Sequence, residues 1–457
     1  MNEHTIPPEP NDGSDCLLVT GQYVLSQDKA QTIIKEGGVA VRGDTIIEVG
    51  KARDLLDRYP TATRISEPYG LIMPGLINVH THAAMACFRG LADDLPLMTW
   101  LHDYIFPAEA SLTGEIVYHS TLLSIVEMIR SGTTSFCDMY LFAKDVARAV
   151  ETAGIRAWLG EVVYDFPSPN YGPPEAGLTY TEELLSAYQG HPLITITVDP
   201  HAVYTCSPDL LRACKELARK YEARLVIHLS ETKEEVKGIQ ERYGTTPVLH
   251  LERLGLLDDQ VIADHCVVLT EAEIELLAQK NVKVAHCPES NMKLASGVAP
   301  VPELLAAGVT VGLGTDGSAS NNDADMFGEM GMAARLHKVH RLDPTVMDAK
   351  TVVKMATMGG AAVLGAEEQI GSLTPGKKAD LIVLDLDQPH LTPLYNISSH
   401  LVYAARGADV IHSIINGRVV MHNRRMITLD EEKIIARMRL LAREIKAKVI
   451  DKKGVTG

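Results

Sequence analysis

Cysteine is scarce in this sequence, and no CxxC pair occurs. The seven cysteines are scattered among 457 residues. An odd number of isolated cysteines in a long chain argues against a disulfide framework and is typical of the reducing cytoplasm. The first 15 residues, MNEHTIPPEPNDGSD, also lack the basic start and apolar stretch of a signal peptide. We therefore expect a cytoplasmic protein.

Basic runs and long apolar runs are missing as well. Lysine and arginine number 43 against 59 acidic residues, which gives a formal net charge of −16. Nucleic acids and anionic membranes are bound by clustered lysine and arginine, and no apolar run approaches the ~20 residues that span a bilayer. The sequence therefore predicts neither a nucleic-acid partner nor a membrane partner.

Two metal-enzyme signatures are absent. The helical zinc motif HExxH does not occur, and neither does the HxE…PCxxC pattern of the cytidine deaminases. Their absence excludes the cytidine-deaminase fold, so any metal site must be built from another pattern.

What is present indicates an α/β protein with two kinds of structure. Both ends contain short, alternating, β-branched segments, whereas the middle alternates apolar strands with amphipathic helices. Eight such strand–helix units predict a (β/α)8 TIM barrel, with a small β-sandwich domain formed from both chain termini. The predicted division is 16–71 and 369–425 for the two parts of the β-sandwich domain, 72–368 for the barrel, and 426–457 for a C-terminal helix. The predicted barrel strands are 71–82, 133–139, 155–165, 193–201, 224–231, 261–269, 282–288 and 310–317.

Histidine is concentrated at the predicted strand ends. Active sites in such barrels lie at the carboxyl ends of the strands, and five of the eight predicted strands end in histidine although the chain has only 17. His80 and His82 are two residues apart, so a strand would direct both side chains to one face. Alone, the pair is a weak signal that is better explained as two hydrogen-bonded histidines at a strand end. With His228 and Asp316 from other strands, it makes a nitrogen and oxygen set suited to Zn²⁺ or another first-row divalent ion.

Several motifs resemble the amidohydrolase superfamily: PGLINVHTH, IHLSET, GTDGSASNN and GSLTPGKKADLIVLD, over about residues 16–425. The resemblance implies that His80, His82, His228 and Asp316 are the metal ligands. Two-metal members have a bridging carboxylated lysine at the end of strand 4, where this chain has TVDPH. The resemblance, together with the absence of this lysine, therefore implies one divalent ion, either Zn²⁺ or, as the alternative, Fe²⁺.

Two further residues match the deaminases of this superfamily. By that resemblance, Glu231 protonates a purine ring nitrogen, and His265 acts with Asp316 on the proton of the attacking water. Without the resemblance, Glu231 is better explained as a solvated loop carboxylate, and His265 is equally well explained as a hydrogen-bonded core histidine.

The segment LPLMTWLHDYIFPAEA (95–110) resembles the methylthioadenosine/S-adenosylhomocysteine deaminases. The resemblance implies that Glu109 binds the ribose hydroxyls, for which a carboxylate is a suitable acceptor, and that His201 contacts the nucleoside. Trp100 is expected to line the pocket for the thioether tail. The expected reaction is hydrolytic deamination of an adenosine derivative to the inosine analogue and ammonia.

One departure from the family pattern bears on the substrate. Some members have arginines after strand 3 that suit the carboxylate of a homocysteine tail, whereas residues 157–211 contain neither arginine nor lysine. We therefore expect methylthioadenosine or adenosine to be preferred over S-adenosylhomocysteine. A guanine-type deaminase or a triazine hydrolase on the same ligands, and a non-catalytic scaffold barrel, remain alternatives. As in many superfamily members, a homo-oligomer is expected.

Overall fold

The structure, a computed structural model, describes residues 16–449, with side chains to residue 447. The polar N-terminal 15 residues and the end of the predicted 426–457 helix lie outside the described residues. The strands are β1 Cys16–Leu25, β2 Ile33–Arg42, β3 Thr45–Lys51, β4 Thr63–Pro74, β5 Leu76–Thr81, β6 Thr133–Tyr140, β7 Arg156–Val163, β8 Ile194–Ile196, β9 Asp199–Pro200, β10 Leu225–Leu229, β11 Val261–His265, β12 Lys283–His286, β13 Thr310–Leu313, β14 Leu381–Asp385, β15 Val410–Ile415, β16 Arg418–His422 and β17 Arg425–Met426.

Helices separate the barrel strands and cover the barrel. The α-helices are Ala52–Arg58, Leu97–Thr99, Phe106–Glu109, Gly114–Arg130, Ala143–Ala153, Glu175–Ala187, Pro208–Lys220, Lys233–Tyr243, Pro247–Arg253, Glu271–Gln279, Pro288–Lys293, Val301–Ala306, Met326–Arg341, Ala349–Lys354, Gly360–Leu364, Ile397–Tyr403 and Glu431–Val449. The 3₁₀ helices are Ala83–Phe88, Pro389–Leu391 and Gly407–Asp409, and the π-helices are Trp100–Ile105 and Met355–Gly359. None of the helices within residues 16–449 is long and apolar enough to cross a membrane.

Eight parallel strand positions form the barrel. One run is β5-β6-β7-β8, with β9 beside β7, and the other is β10-β11-β12-β13. Parallel bridges from Val198 to Leu225 and from Thr81 to Asp316 join the two runs. The barrel strands are almost entirely buried, as expected for a parallel sheet covered by helices. The predicted (β/α)8 barrel is confirmed.

The terminal segments form a single eight-stranded sheet in the order β17-β16-β15-β14-β4-β1-β2-β3. It folds back on itself, because Ile46 N donates to Lys377 O at 2.9 Å and Ala379 N to Asp44 O at 2.8 Å. One face of the folded sheet encloses a separate apolar core that includes Val39, Ile72 and Leu381. The small β domain built from both termini is therefore confirmed.

Two of the predicted barrel strands are divided. The strand predicted over 71–82 is wrong in its extent, because residues 71–74 end β4 of the terminal sheet and only Leu76–Thr81 enters the barrel. Gly75 separates the two, and a Cβ there would lie 2.0 Å from the Thr134 hydroxyl oxygen. The strand predicted over 193–201 forms as Ile194–Ile196 and Asp199–Pro200.

A buried ion pair joins the amino end of the barrel to the terminal sheet. Arg156, the first residue of β7, places Nε 2.7 Å from Asp380 Oδ2 and donates from Nη2 to Asn416 Oδ1 at 3.0 Å. Both charged side chains are less than a tenth exposed. Arg156 is therefore a structural residue, at the opposite end of the barrel from the histidines.

Arg156→Ala is expected to destabilise the fold strongly. Removing one partner of a buried pair leaves the other charge uncompensated, which costs about 3–5 kcal/mol of unfolding free energy. The matched control is Arg53→Ala, since Arg53 pairs with Asp54 while 86% exposed, and surface pairs contribute about 0–1 kcal/mol. Denaturant unfolding of both variants measures the difference, and equal midpoints would contradict the assignment.

Candidate active site

Four histidine and aspartate side chains converge at the carboxyl ends of the barrel strands. His80 lies in β5 and His82 is the first residue after it, and their ring centroids are 4.8 Å apart. His228 arrives from β10, with its ring centroid 5.1 Å from that of His80. Asp316 follows β13 and completes the group, as the strand-end pattern predicted.

The hydrogen bonds of His82 and His228 fix the tautomers of both rings. His228 Nδ1 lies 2.8 Å from the backbone oxygen of His201, and His82 Nδ1 contacts the backbone oxygen of Met139. A carbonyl only accepts, so each Nδ1 carries the hydrogen and each Nε2 of a neutral ring presents a lone pair. These two Nε2 atoms are only 3.4 Å apart. Two facing lone pairs are the arrangement that a shared cation stabilises.

The carboxylate of Asp316 faces the same point. Its Oδ1 lies 3.1 Å from His82 Nε2 and 3.4 Å from His80 Nε2. Its Oδ2 accepts hydrogen bonds from the Ser290 hydroxyl at 2.6 Å and the Ser320 hydroxyl at 2.9 Å. Oδ2 is thus held by two hydroxyl groups. Oδ1 accepts one hydrogen bond, from Gly317 N at 2.8 Å, and is directed at the histidine nitrogens.

This donor set fits a single divalent ion. His80 Nε2 is buried and, within residues 16–449, has no hydrogen-bond partner. His80 Nδ1 lies 3.1 Å from Asp264 Oδ2, the carboxylate contact that commonly orients a metal-bound histidine. Imidazole nitrogens with one carboxylate oxygen suit zinc or another first-row divalent ion. His80, His82, His228 and Asp316 can therefore hold the ion.

Glu231 and His265 lie beside this cluster. Glu231 is 5% exposed, and burial raises the pKa of its carboxyl group above its usual value. Its Oε2 is 4.0 Å from His265 Nε2. The solvated-carboxylate alternative for Glu231 is therefore wrong, because the side chain is buried in the cavity wall. His265 is also buried, with its ring stacked on that of His228 at 5.5 Å.

The remaining predicted site residues line one cavity above the cluster. Burial raises the pKa of Glu109 to about 7. Burial lowers the pKa of His201 to about 3, so this imidazole is neutral. Trp100 donates from Nε1 to Ala92 O at 3.1 Å and presents its ring to the cavity. The cavity is lined by His82, Met85, Leu97, Trp100, Leu101, Ile105, Phe106, Glu109, Met139, Tyr140, Val162, Tyr164, His201, Tyr204, His228, Glu231, His265, Leu294 and Asp316.

Some functional contacts are absent from the sequence prediction. Asp264 touches His80, and three polar residues after β12, Ser290, Asn291 and Ser296, each contact a predicted site residue. Their only sequence signal is a polar run, HCPESNMKLAS, directly after a strand. The histidine that ends β12 behaves differently from the others, because His286 Nε2 lies 3.2 Å from His337 Nε2.

Comparisons with known proteins agree with this architecture. Residues 71–420 match the Amidohydrolase family, and residues 37–62 match an Imidazolonepropionase-like composite domain of bacteria. The chain is 55% identical to a 5-methylthioadenosine/S-adenosylhomocysteine deaminase of Syntrophobacter fumaroxidans, over 95% of this chain and 99% of that protein. It is 45% identical to a 5'-deoxyadenosine deaminase of Methanosarcina mazei, again over 95% and 99%.

A solved structure has the same fold. A zinc-bound adenosine deaminase of Xanthomonas campestris superposes with a TM-score of 0.92 at 39% identity, over 94% of this chain and 98% of that chain. The family match covers most of the chain, and the curated relatives align over nearly their full lengths. The chain belongs to the amidohydrolase family, in the group of the 5-methylthioadenosine/S-adenosylhomocysteine deaminases.

Proposed function

We propose that this protein hydrolytically deaminates adenosine derivatives with an uncharged 5′ substituent, such as 5′-methylthioadenosine, to the inosine analogue and ammonia. The observation that carries the proposal is the placement of two carboxyl groups, the buried Glu231 and the half-buried Glu109, in one cavity above the histidine–aspartate cluster. Glu231 is next to the cluster, as an acid acting on the purine must be. Glu109 is available for the ribose.

The cluster is proposed to hold one zinc ion, with Fe²⁺ as the alternative because it accepts the same ligands. Such an ion supplies Lewis acidity that makes water a nucleophile near neutral pH. The zinc of the similar adenosine deaminase supports this choice. Elemental analysis of protein produced with each metal, together with activity per ion, identifies the competent metal.

The protein side chains divide the proton transfers. Asp316, assisted by His265, takes up the proton of the water that attacks C6 of the adenine ring. Glu231 donates a proton to N1, so that negative charge does not accumulate on the ring. Its raised pKa favours the protonated form that this step needs. Asp316 then returns its proton to the departing amine, which leaves as ammonia. As the C6 carbonyl forms, the proton of the C6 hydroxyl passes to Glu231 and restores the acid.

Absorbance assays of adenine-to-hypoxanthine conversion test the proposal. Zinc-loaded protein is given 5′-methylthioadenosine, adenosine, S-adenosylhomocysteine and guanine in parallel. Turnover of the adenosine derivatives supports the proposal. Turnover of guanine alone, or of no substrate despite bound metal, would contradict it, and the latter result is what a scaffold barrel predicts.

Glu109→Ala is expected to weaken binding of nucleosides that have a ribose diol. Hydrogen bonds to a charged group contribute about 1.5–3 kcal/mol, so KM for 5′-methylthioadenosine should rise about 10- to 100-fold. The matched substrate is 2′,3′-dideoxyadenosine, for which wild type and variant should have the same KM. An equal rise in KM for both substrates would contradict the assignment of Glu109 to the ribose hydroxyls. Free guanine and triazines have no diol, so this experiment also distinguishes the rival reactions.

S-adenosylhomocysteine is expected to be the poorest of the adenosine substrates. No lysine or arginine is among the described residues that line the cavity, where Glu109, Glu231 and Asp316 are acidic. An unpaired homocysteine carboxylate should cost about tenfold or more in kcat/KM, since a charge-assisted hydrogen bond is worth about 1.5–3 kcal/mol. A 5′-alkylthioadenosine of matched length is the control. Preference for the homocysteine compound over that control would contradict the prediction.

The homo-oligomer expected from the family stays a prediction, which sedimentation velocity of the purified protein tests. The cytoplasmic location is likewise still an expectation. All seven cysteines are free, and six of them are buried.

A further inference from the structure

One short segment contacts every residue assigned to proton transfer. Residues 288–296 follow β12 directly and contain the helix Pro288–Lys293 and the turn after it. The turn is closed by a hydrogen bond from Ser296 N to Asn291 O at 2.9 Å. The side chain of Leu294 lines the substrate cavity. We call residues 288–296 the positioning segment.

Three polar side chains of the positioning segment make three separate hydrogen bonds. The Ser290 hydroxyl donates to Asp316 Oδ2 at 2.6 Å. Asn291 Oδ1 lies 2.9 Å from His265 Nδ1. The Ser296 hydroxyl donates to Glu231 Oε1 at 3.2 Å. Both serines and Asn291 are buried.

Each contact leaves the reactive atom of its partner directed into the cavity. An amide oxygen accepts, so His265 Nδ1 carries its hydrogen and His265 Nε2 presents a lone pair. That Nε2 is 4.0 Å from Glu231 Oε2, the carboxyl oxygen that Ser296 does not contact. Asp316 likewise keeps Oδ1 toward His80 and His82.

The positioning segment is itself anchored to neighbouring loops. Lys293 Nζ donates to Ala319 O at 3.1 Å and contacts Asn322 Oδ1, both in the loop after β13. It also lies 2.6 Å from Asp93 Oδ1, in the stretch that leads to the helices over the cavity. Ser290, Asn291 and Ser296 therefore contact the site residues from a segment that is itself anchored on two sides.

We infer that residues 288–296 act as one positioning element for deamination, with Ser296 setting the carboxyl of Glu231 and Asn291 setting the tautomer of His265. The inference rests on the proposed function, since it assigns the segment to that reaction. Ser296 and Asn291 are positioning residues, because each acts through the side chain that it contacts.

Steady-state kinetics of 5′-methylthioadenosine deamination tests the inference. Loss of a hydrogen bond that orients a metal ligand typically costs about 10- to 100-fold in activity. We expect a comparable loss where the oriented group is the acid, so Ser296→Ala should lower kcat at least about tenfold, with KM and metal content close to wild type. Ser296→Thr keeps the hydroxyl and should restore most of kcat. Ser413→Ala is the matched control, because Ser413 is a buried serine in the terminal sheet that donates to Ile129 O.

Asn291→Ala gives an independent measurement that needs no substrate. In wild type the His265 Nδ1 hydrogen should give a slowly exchanging NMR signal, assigned by its absence from His265→Gln. Asn291→Ala should lose that signal and also lower kcat at unchanged metal content.

Three results would overturn the inference: unchanged kcat in Ser296→Ala while wild type is active, equal losses in Ser296→Ala and Ser296→Thr, or an unchanged His265 signal in Asn291→Ala. Failure of the proposed function is a different result, namely no turnover of any adenosine derivative by wild type. In that case the NMR measurement still decides whether Asn291 sets the His265 tautomer.

Discussion

Glu231→Gln is expected to leave a folded, metal-loaded protein that no longer turns over 5′-methylthioadenosine. The glutamine amide has the shape of the carboxyl group and can keep a hydrogen bond to Ser296, which lies 3.2 Å from Glu231 Oε1. It cannot release a proton to N1 of the purine. Loss of a positioned general acid should lower kcat by about 10²–10⁴-fold.

The same acidic run supplies a matched control for this variant. Glu234 is exposed at the start of the helix Lys233–Tyr243, three residues after Glu231. Glu234→Gln makes the identical chemical change without touching the cavity and should keep wild-type kcat and KM. Metal analysis and thermal unfolding of both variants exclude loss of the metal or of the fold as the cause of lost activity. A Glu231→Gln enzyme within about a factor of two of wild type, against the typical 10²–10⁴-fold loss, would remove the acid role.

The convergence of the histidine and aspartate side chains could be predicted from the strand pattern alone. A barrel directs the carboxyl ends of its strands to one face, so residues that end different strands meet even when they are distant in sequence. His80 and His228 are the penultimate residues of β5 and β10, and Asp316 comes three residues after the end of β13. The strand pattern therefore placed the cluster without knowledge of loop conformation.

The contacts around the cluster depend on loop geometry that the strand pattern does not contain. Ser230, His265 and Asp316 have φ values of +53°, +68° and +61°, a left-handed conformation that non-glycine residues seldom adopt. These turns set the directions of the side chains that follow each strand. The residue types at these positions do not predict a left-handed backbone conformation. The Ser296–Glu231 contact joins residues 65 positions apart through two such loops.

Histidine at a strand end was by itself too coarse a signal. His286 is the last residue of β12, a position similar to those of His80 and His228 in their strands. Its side chain nevertheless pairs with His337 on the helix Met326–Arg341. That helix packs against β13, the strand beside β12. The direction of a side chain at a strand end is set by such packing. Only the tertiary structure separates this buried histidine pair from the cluster.

Removal of the metal is expected to abolish turnover and to lower the thermal stability of the protein. Without a cation, the Nε2 lone pairs of His82 and His228 face each other at 3.4 Å in a buried site. An ion that binds only the folded state adds about 4 kcal/mol of stability when it is present at 1,000 times its Kd. Dialysis against a chelator should therefore lower Tm, and one equivalent of Zn²⁺ should restore both Tm and kcat.

A comparison of variants at two buried histidines, His228 and His286, distinguishes a metal ligand from a structural histidine. His228→Ala should lose the bound ion and all turnover, because it deletes one of the two Nε2 donors that face each other. His286→Gln changes a histidine at a neighbouring strand end that pairs with His337, and it should retain one equivalent of metal. Both variants remove a buried imidazole, so both are expected to lose stability, and metal content is the measurement that separates them. Retention of one equivalent by His228→Ala, or loss of metal from His286→Gln, would mean that the ion is held by a different set of side chains than the convergence of lone pairs indicates.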